Sequence, residues 1–404
     1  MSFVPKTQPF SGKINAVTLG TGDKAIVIGG QNVLPFYTFD AAIENAPKIG
    51  VEISDAANTW TSKGLQEFYV GCTTMADFAK KAETMEGADF LCLNFESADP
   101  NGANRPVAEC VADAKAVVIG GQNVLPFYSF DAPITNAPKI GIEISDAANE
   151  WTAPGLKDCY AGCTTMADYA KKAETMEGAD FLCLNFESAD PNGANRSVAD
   201  CVADAKAVAE AVSMPIVIMG CKNMVKDGEL FSKISEALQG KNILVMSAKS
   251  EDYKTVGASV ALAYGQKVGA ETADDINLAK QLNIMLKGLS IAPENIVMNI
   301  GTAAVGYGYE YVASTLDRVR AAALAQSDAA LQMPIISPVS TDTWGVKEST
   351  ASEADEPAWG DQEERAIGME VATAAANLTG GADAVIMRHP AAVATIKKFI
   401  TELV

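Results

Sequence analysis

Residues 24 to 115 of this 404-residue chain recur, almost unchanged, at 115 to 206. The first copy opens KAIVIGGQNVLPFYTFD and the second KAVVIGGQNVLPFYSFD. Most differences are mild, as in Val51 for Ile142, Phe78 for Tyr169 and Glu109 for Asp200; Phe68 for Cys159 and Lys63 for Pro154 are larger. Solenoid units diverge further and number three or more, so this is a late duplication laid over an older fold. The copies abut at Lys24, Lys115 and Lys206, inside a short matching sequence and not at a linker. One copy is therefore expected to be surplus. The remainder has the length of a single large α/β domain with a short N-terminal extension.

Residues 13 to 19 and 24 to 29 run apolar on either side of ThrGlyAsp, which predicts a β-hairpin plugging one end of the domain. In the second copy the first hairpin strand is replaced by VAECVADAKAV, so Val117 to Gly120 must find another neighbour. From there, short β-branched runs alternate with helical patterns. The runs are IGIEIS (140 to 145), FLCLNF (181 to 186), PIVIMG (215 to 220), ILVMSA (243 to 248), KVGAET (267 to 272), NIVMNI (295 to 300), PIISPV (334 to 339) and AVIMRH (384 to 389). Several of the helices between them open on Asp, Thr or Ser and close on Gly, as capping prefers. Near-continuous apolar strands alternating with helices imply a parallel sheet covered by helices.

The predicted fold class is α/β: a (β/α)8 TIM barrel with an N-terminal β-hairpin and a duplicated β-α-β-α half-module. Residues 1–23 supply the first hairpin strand, 24–114 the extra copy and 115–404 the barrel. A doubly wound open sheet is the structural rival, because closure leaves no local sequence signal. Swapped usage, with the first copy in the barrel, stays open. An unpaired half-module would expose apolar strand edges.

Apolar residues make up 48% of the chain, and no apolar run approaches the roughly 20 residues of a membrane span. MSFVPKTQPFSGKINAV lacks a secretory signal pattern, so a cytoplasmic protein is expected. The net charge of -20 argues against nucleic acid, whose phosphates need a basic surface. Of the eight cysteines, Cys72/Cys163, Cys92/Cys183 and Cys110/Cys201 are copies of each other, leaving Cys159 and Cys221. None has the spacing of a zinc or iron-sulfur site, so free thiols are the reading.

A TIM barrel works at the carboxyl ends of its strands. That position selects Asp146, Asn185, Glu187, Asp190, Lys249, Glu271, Asn299, Ser337 and Arg388, each of which also has a plain structural reading. The GTAAVGYGYEY loop offers Gly301, Gly306 and Gly308 for close backbone approach, and Tyr307 and Tyr309 as flat faces. It lacks a P-loop pattern. Ser340 to Glu363, with Trp344 and Trp359, reads as a long loop that is a lid, a docking surface or an acidic excursion. His389, the single histidine, follows Met387 and Arg388 and precedes Pro390, at a helix start that suits an anionic or amide-bearing ligand or a simple cap. One histidine makes neither a His-rich metal centre nor a triad, so no catalytic or metal residue is assigned.

These stretches, in this order, resemble the small subunit of the corrinoid iron-sulfur protein, also called the delta subunit of the acetyl-CoA decarbonylase/synthase complex. The carrying motifs are VIGGxxxLPF, IGxEISD, GADFLCLNFESADPNGAN, DINLAKQLNI, VGYGYEY, TWGVKE with PAWGxxxER, and VIMRHPAAVATIKK. The resemblance implies a heterodimer, in the reductive acetyl-CoA pathway of carbon fixation by anaerobes. Its large partner carries an iron-sulfur cluster and a corrinoid (cobamide), and this chain carries no cluster. It also implies methyl transfer from methyltetrahydrofolate, through a methyltransferase, to acetyl-CoA synthase. No DxHxxG pattern is present to supply a lower cobalt ligand, so cofactor chemistry would be shared with that partner. Strand-end position then makes Gly306, Tyr307, Gly308, Trp344, Met387, Arg388 and His389 the expected cofactor-binding set. Trp344 and Tyr307 suit the corrin edge, and Arg388 and His389 its amide rim. The rival is a pterin-dependent corrinoid methyltransferase using Asn185, Asp146 and Asn299; a scaffold without ligand is a third reading.

Overall fold

The computed structural model describes residues 16–19, 26–28, 48–54, 60–72, 78, 81–82, 84–85, 88, 90–94, 119–120, 127, 134 and 136–404. By internal packing the chain divides into two compact units, residues 1–114 and 115–404.

In the first unit β1 (Val17–Leu19) and β2 (Ile26–Ile28) pair antiparallel, Val17 opposite Ile28. This is the hairpin expected from the sequence; its ThrGlyAsp turn lies outside the described residues. β3 (Gly50–Ser54) and β4 (Phe90–Asn94) pair in parallel, with α1 (Lys63–Phe68) between them in sequence. Ile53, Tyr69, Phe78 and Ala82 form a small core, and the Trp60 ring meets Phe78 edge-on at 6.1 Å.

The second unit runs β5 (Lys139–Ser145), α2 (Pro154–Cys159), α3 (Met166–Glu174), β6 (Phe181–Asn185), α4 (Val198–Ala211) and β7 (Ile216–Met219). There follow α5 (Met224–Ala237), β8 (Leu244–Ala248), α6 (Tyr253–Gly257), β9 (Lys267–Glu271), α7 (Ile276–Gly288), β10 (Ile296–Asn299) and α8 (Tyr309–Arg320). The chain ends with β11 (Ile336–Ser337), α9 (Val339–Thr343), α10 (Lys347–Thr350), α11 (Gln362–Gly380), β12 (Ala384–Met387) and α12 (Pro390–Leu403).

β5 to β12 form one eight-stranded parallel sheet in which β5 lies between β6 and β12. A parallel bridge between Met298 and Ile335, with the Met298 N–H donating to the Pro334 carbonyl at 2.8 Å, joins β10 to the start of β11. That contact closes the ring and decides for a barrel over an open sheet. Side chains alternate between its two faces. Phe181, Cys183, Val217, Met219, Val297 and Ile386 fill the interior, while Ile142, Leu184, Ile218, Val385 and Met387 pack outward against the helices.

Helix starts follow the predicted chemistry. Thr165 and Asp168 form a capping box on α3, and Ser197, Asp275 and Asp361 cap α4, α7 and α11. Such caps contribute about 0.5–2 kcal/mol each.

Two expectations need correcting. β11 is shorter than the PIISPV run suggested, because Pro334 and Pro338 bring no N–H to the ladder. The segment from Ser340 to Glu363 is not one long loop. It folds as α9, α10 and a 3-10 turn at Pro357–Trp359. Gln362 Nε2 donates to the Ser349 and Thr350 carbonyls, and Arg365 Nε to that of Glu348 at 2.8 Å, which ties the segment to α11. Ile119 packs against the interior layer of the barrel, and the Gly120 carbonyl accepts from Asn136; these are the new neighbours the duplication required. Among the described residues, no helix is long and apolar enough to cross a membrane.

Candidate functional site

The carboxyl end of β5 and its neighbours carries a buried polar layer. Glu143, inward on β5, is fully buried; Arg388, just past β12, reaches it through Nη2 at 3.0 Å, and Asn185 Nδ2 at the end of β6 donates to the same carboxylate at 2.8 Å. Burial disfavours the Glu143 charge, but the guanidinium and the hydrogen bonds outweigh it and hold the carboxyl below its usual range. The Arg388 guanidinium also lies between two indoles, 5.0 Å from the Trp151 ring and 5.8 Å from that of Trp344.

Trp344 stacks on His389, ring centroids 5.8 Å apart and planes 14° from parallel. His389 Nδ1 accepts from the Ala391 N–H as the cap of α12, and Nε2 faces Glu363 Oε1 at 3.1 Å. With Nδ1 accepting, the neutral ring carries its proton on Nε2. Burial lowers the His389 pKa, opposed by Glu363. Beneath this corner, fully buried Glu370 on α11 accepts the backbone N–H groups of Arg388 and His389; burial pushes its pKa up to about 7.

Two adjoining cavities open at this end. One, ≈ 440 Å³, is walled by the ends of β7 to β10 and by α9; its neighbour, ≈ 420 Å³, lies against the β5 and β6 ends. Met219, Gly220, Lys222 and Thr341 border both. In the first, Lys249 pairs with Glu271 at 3.2 Å, and Asn299 lines the wall. Ser247 and Thr272, only 7% and 8% exposed, also line it, with Thr302; among the described residues none of these three hydroxyl oxygens, each shielded from solvent, has a partner. Asp342 completes that wall, its pKa pushed up to about 6 by burial. A Cβ at Gly220 would collide with the Asp227 carboxylate, which accepts the Cys221 N–H at 2.8 Å and so shapes the rim. A further cavity, ≈ 420 Å³, separates Trp151 from the helical segment after β11. A larger one, ≈ 760 Å³, opens at the amino end beside Ile119, the end that does not carry chemistry in barrels.

The residues picked by strand-end position therefore scatter. Glu187, Asp190, Lys249, Glu271, Asn299 and Arg388 border the two mouth cavities. Asp146 turns instead to Ser188 and Arg196. Ser337 is buried. Met387 points into the helix layer, because alternation turns it outward where Ile386 faces in. Tyr307 stands in solvent, 48% exposed, with its hydroxyl on Glu348 at 2.5 Å, and Gly306 and Gly308 take left-handed φ of 89° and 86° around it. Position along the strand misses Asp342, Ser247, Thr272, Lys222 and Glu370. Ser247, Thr272 and Lys222 lie in or beside strand ends whose register the sequence leaves open, while Asp342 sits in α9 and Glu370 is mid-helix.

A sequence profile of the CO dehydrogenase/acetyl-CoA synthase delta subunit matches residues 16–115 and, overlapping, 109–397. Over 294 residues the chain is 34% identical to the acetyl-CoA decarbonylase/synthase complex subunit delta of Archaeoglobus fulgidus, covering 71% of this chain and 64% of that protein. It therefore spans a little under two thirds of that relative's length. The delta 1 subunit of Methanosarcina thermophila is 32% identical over 308 residues, covering 74% of this chain and 70% of that one. Among solved structures, a dihydropteroate synthase from Yersinia pestis matches with a TM-score of 0.46 and 12% identity, over 66% of this chain and 93% of that one.

Proposed function

Because the chain belongs to the CO dehydrogenase/acetyl-CoA synthase delta subunit family, we propose that it is a non-catalytic subunit of a methyl-transfer complex whose barrel mouth covers a corrinoid held by a large partner. On this reading the partner is the large corrinoid iron-sulfur subunit, and the methyl group passes from methyltetrahydrofolate, by way of a methyltransferase, to acetyl-CoA synthase. When bound, the corrinoid supplies a cobalt centre that takes up and gives up the methyl group.

One observation carries the reading. The mouth is walled by the thioether and aliphatic side chains of Met219, Met246 and Leu278. The strongest ionisable groups at that end, by contrast, are committed to one another: Glu143 to Arg388 and Glu363 to His389. An apolar wall beside charged groups already paired with one another suits the cover of a large amphipathic ligand edge better than proton transfer. The cavities are of small-ligand size, about 300–1,000 Å³. The chain would therefore cover one face of a corrin and admit only groups from its rim.

The residues divide the work accordingly. Met219, Met246 and Leu278 keep water from that face, and the Trp151, Arg388 and Trp344 stack fixes the wall beside it. The pterin-dependent enzyme reading asks Asn185, Asp146 and Asn299 to converge. Asn185 is bonded to Glu143 and Asp146 to Ser188, which leaves Asn299 as the one of the three on the cavity beside β9.

The test is to add this chain to the large corrinoid iron-sulfur subunit of a relative and follow corrin absorbance. A complex with a perturbed corrin spectrum is expected; an unchanged spectrum with no complex would overturn the proposal. Demethylation of methyltetrahydrofolate by this chain and free cobalamin alone would favour the enzyme instead.

A further inference from the structure

The amino end of the barrel, opposite the mouth, holds a cavity of ≈ 760 Å³ that the covering role does not use. The repeat accounts for the space. In the first copy a hairpin strand precedes Ile28; before its counterpart Ile119 the sequence reads VAECVADAKA instead, and the cavity opens beside Ile119. Its floor is apolar, because Phe181, Val217, Leu244 and Val297 belong to the inward layer of β6, β7, β8 and β10. The volume is that of a small-molecule site, about 300–1,000 Å³.

The rim is cationic. Lys241 just before β8, Lys267 at the start of β9 and Lys287 in the last turn of α7 border the cavity, with Glu294 as the one acid in its lining among the described residues. The whole chain has the reverse balance, 31 Lys and Arg against 51 Asp and Glu. Three cations around an apolar space in so acidic a chain suit a ligand that is apolar at one end and anionic at the other. Lys267 Nζ donates to Asn295 Oδ1 at 3.0 Å, whereas among the described residues Lys241 and Lys287 have no ion-pair partner. Glu294 on the same rim offsets part of their charge, so a singly charged carboxylate balances the remainder better than a dianionic phosphate. We propose that this cavity binds an aliphatic carboxylate, its tail against Phe181, Val217, Leu244 and Val297 and its head at Lys241 and Lys287.

Calorimetry on the full chain with hexanoate, octanoate and decanoate, and with decan-1-ol as the uncharged match, tests this. Affinity should rise about fourfold per added methylene, equivalent to about 0.8 kcal/mol. Decanoate should bind at least about tenfold more tightly than decan-1-ol, about 1.4 kcal/mol. Lys241→Gln with Lys287→Gln, the first exposed and the second half-buried, should bring decanoate within about twofold of the alcohol, about 0.4 kcal/mol, and leave the alcohol unchanged. Lys171→Gln with Lys172→Gln on α3, exposed and outside the cavity lining, changes net charge equally and should leave the ratio as it was. A ratio that the Lys241 and Lys287 pair does not move, or an affinity independent of tail length, would overturn the site. Failure of decanoate to bind would do the same, and sedimentation of the chain as a dimer would then assign the cavity to a second copy. The corrin spectrum reads the opposite end of the barrel, so either proposal can fail without the other.

Discussion

Glu143 and Arg388 lie 245 positions apart in sequence and form a buried ion pair at 3.0 Å, whereas Glu52, the counterpart of Glu143 in the first copy, is exposed. The local pattern is otherwise the same in both copies. Asn94 Nδ2 donates to Glu52 at 3.0 Å as Asn185 does to Glu143 at 2.8 Å, and β3 meets β4 in the register in which β5 meets β6. What differs is the strand that arrives on the other side of β5.

Arg388→Met would leave Glu143 buried without its cation, at a cost of about 3–5 kcal/mol. The double variant Glu143→Gln with Arg388→Met should recover much of that loss, because no charge is then buried. Urea unfolding followed by tryptophan fluorescence checks both. Equal loss in the single and double variants would count against this account of the pair. Since the Glu143 pKa is depressed in the folded chain, its share of stability is present above the unfolded value of about 4.3 and lost as pH falls through the folded one.

Glu370 has the opposite sign. Its pKa is raised to about 7, so the folded state holds the proton more tightly than the unfolded one. That contribution is fully present below the unfolded value of about 4.3 and is lost as pH rises through about 7. His389, whose pKa is lowered by burial, contributes above its unfolded value of about 6.5 and loses that contribution as pH falls from there through its folded one. Glu370→Gln should therefore flatten the decline in thermal midpoint between mildly acidic and neutral pH and leave the His389 limb in place. An unchanged decline would show that another group titrates.

Gly141 on β5 is hemmed in by the Phe181 ring of the next strand, where any Cβ would collide. Gly141→Ala should cost about 1–3 kcal/mol through overpacking, and Phe181→Leu in the same chain should restore most of it. A destabilisation that Phe181→Leu fails to relieve would place the strain elsewhere.

Leu278 lines the mouth cavity and is 45% exposed. Leu278→Glu should shift stability by no more than about 0.5 kcal/mol, as surface changes do. On the proposed covering role, it should weaken association with the large corrinoid subunit by about tenfold, roughly 1.4 kcal/mol. Calorimetry on the purified pair reads both; undiminished association would remove this rim from the interface.

The chain's own order of residues settled much of this protein. Apolar runs and capping residues fixed β5 to β12 and their helices, and the repeat produced the same β-α-β pairing twice, with the same Gly-to-Phe register and the same Asn-to-Glu bond. His389 as the cap of α12 was readable from the Pro390 beside it. Such features depend on backbone conformation and on neighbours within one β/α unit. Closure of the ring through Met298 and Ile335 and the meeting of Ser247, Thr272, Thr302 and Asp342 at one cavity were decided only in three dimensions. Each joins residues from separate units, whose proximity exists only once the barrel closes. The same reason separates Glu143 from Glu52: nearly identical neighbours in sequence, and Arg388 beside Glu143.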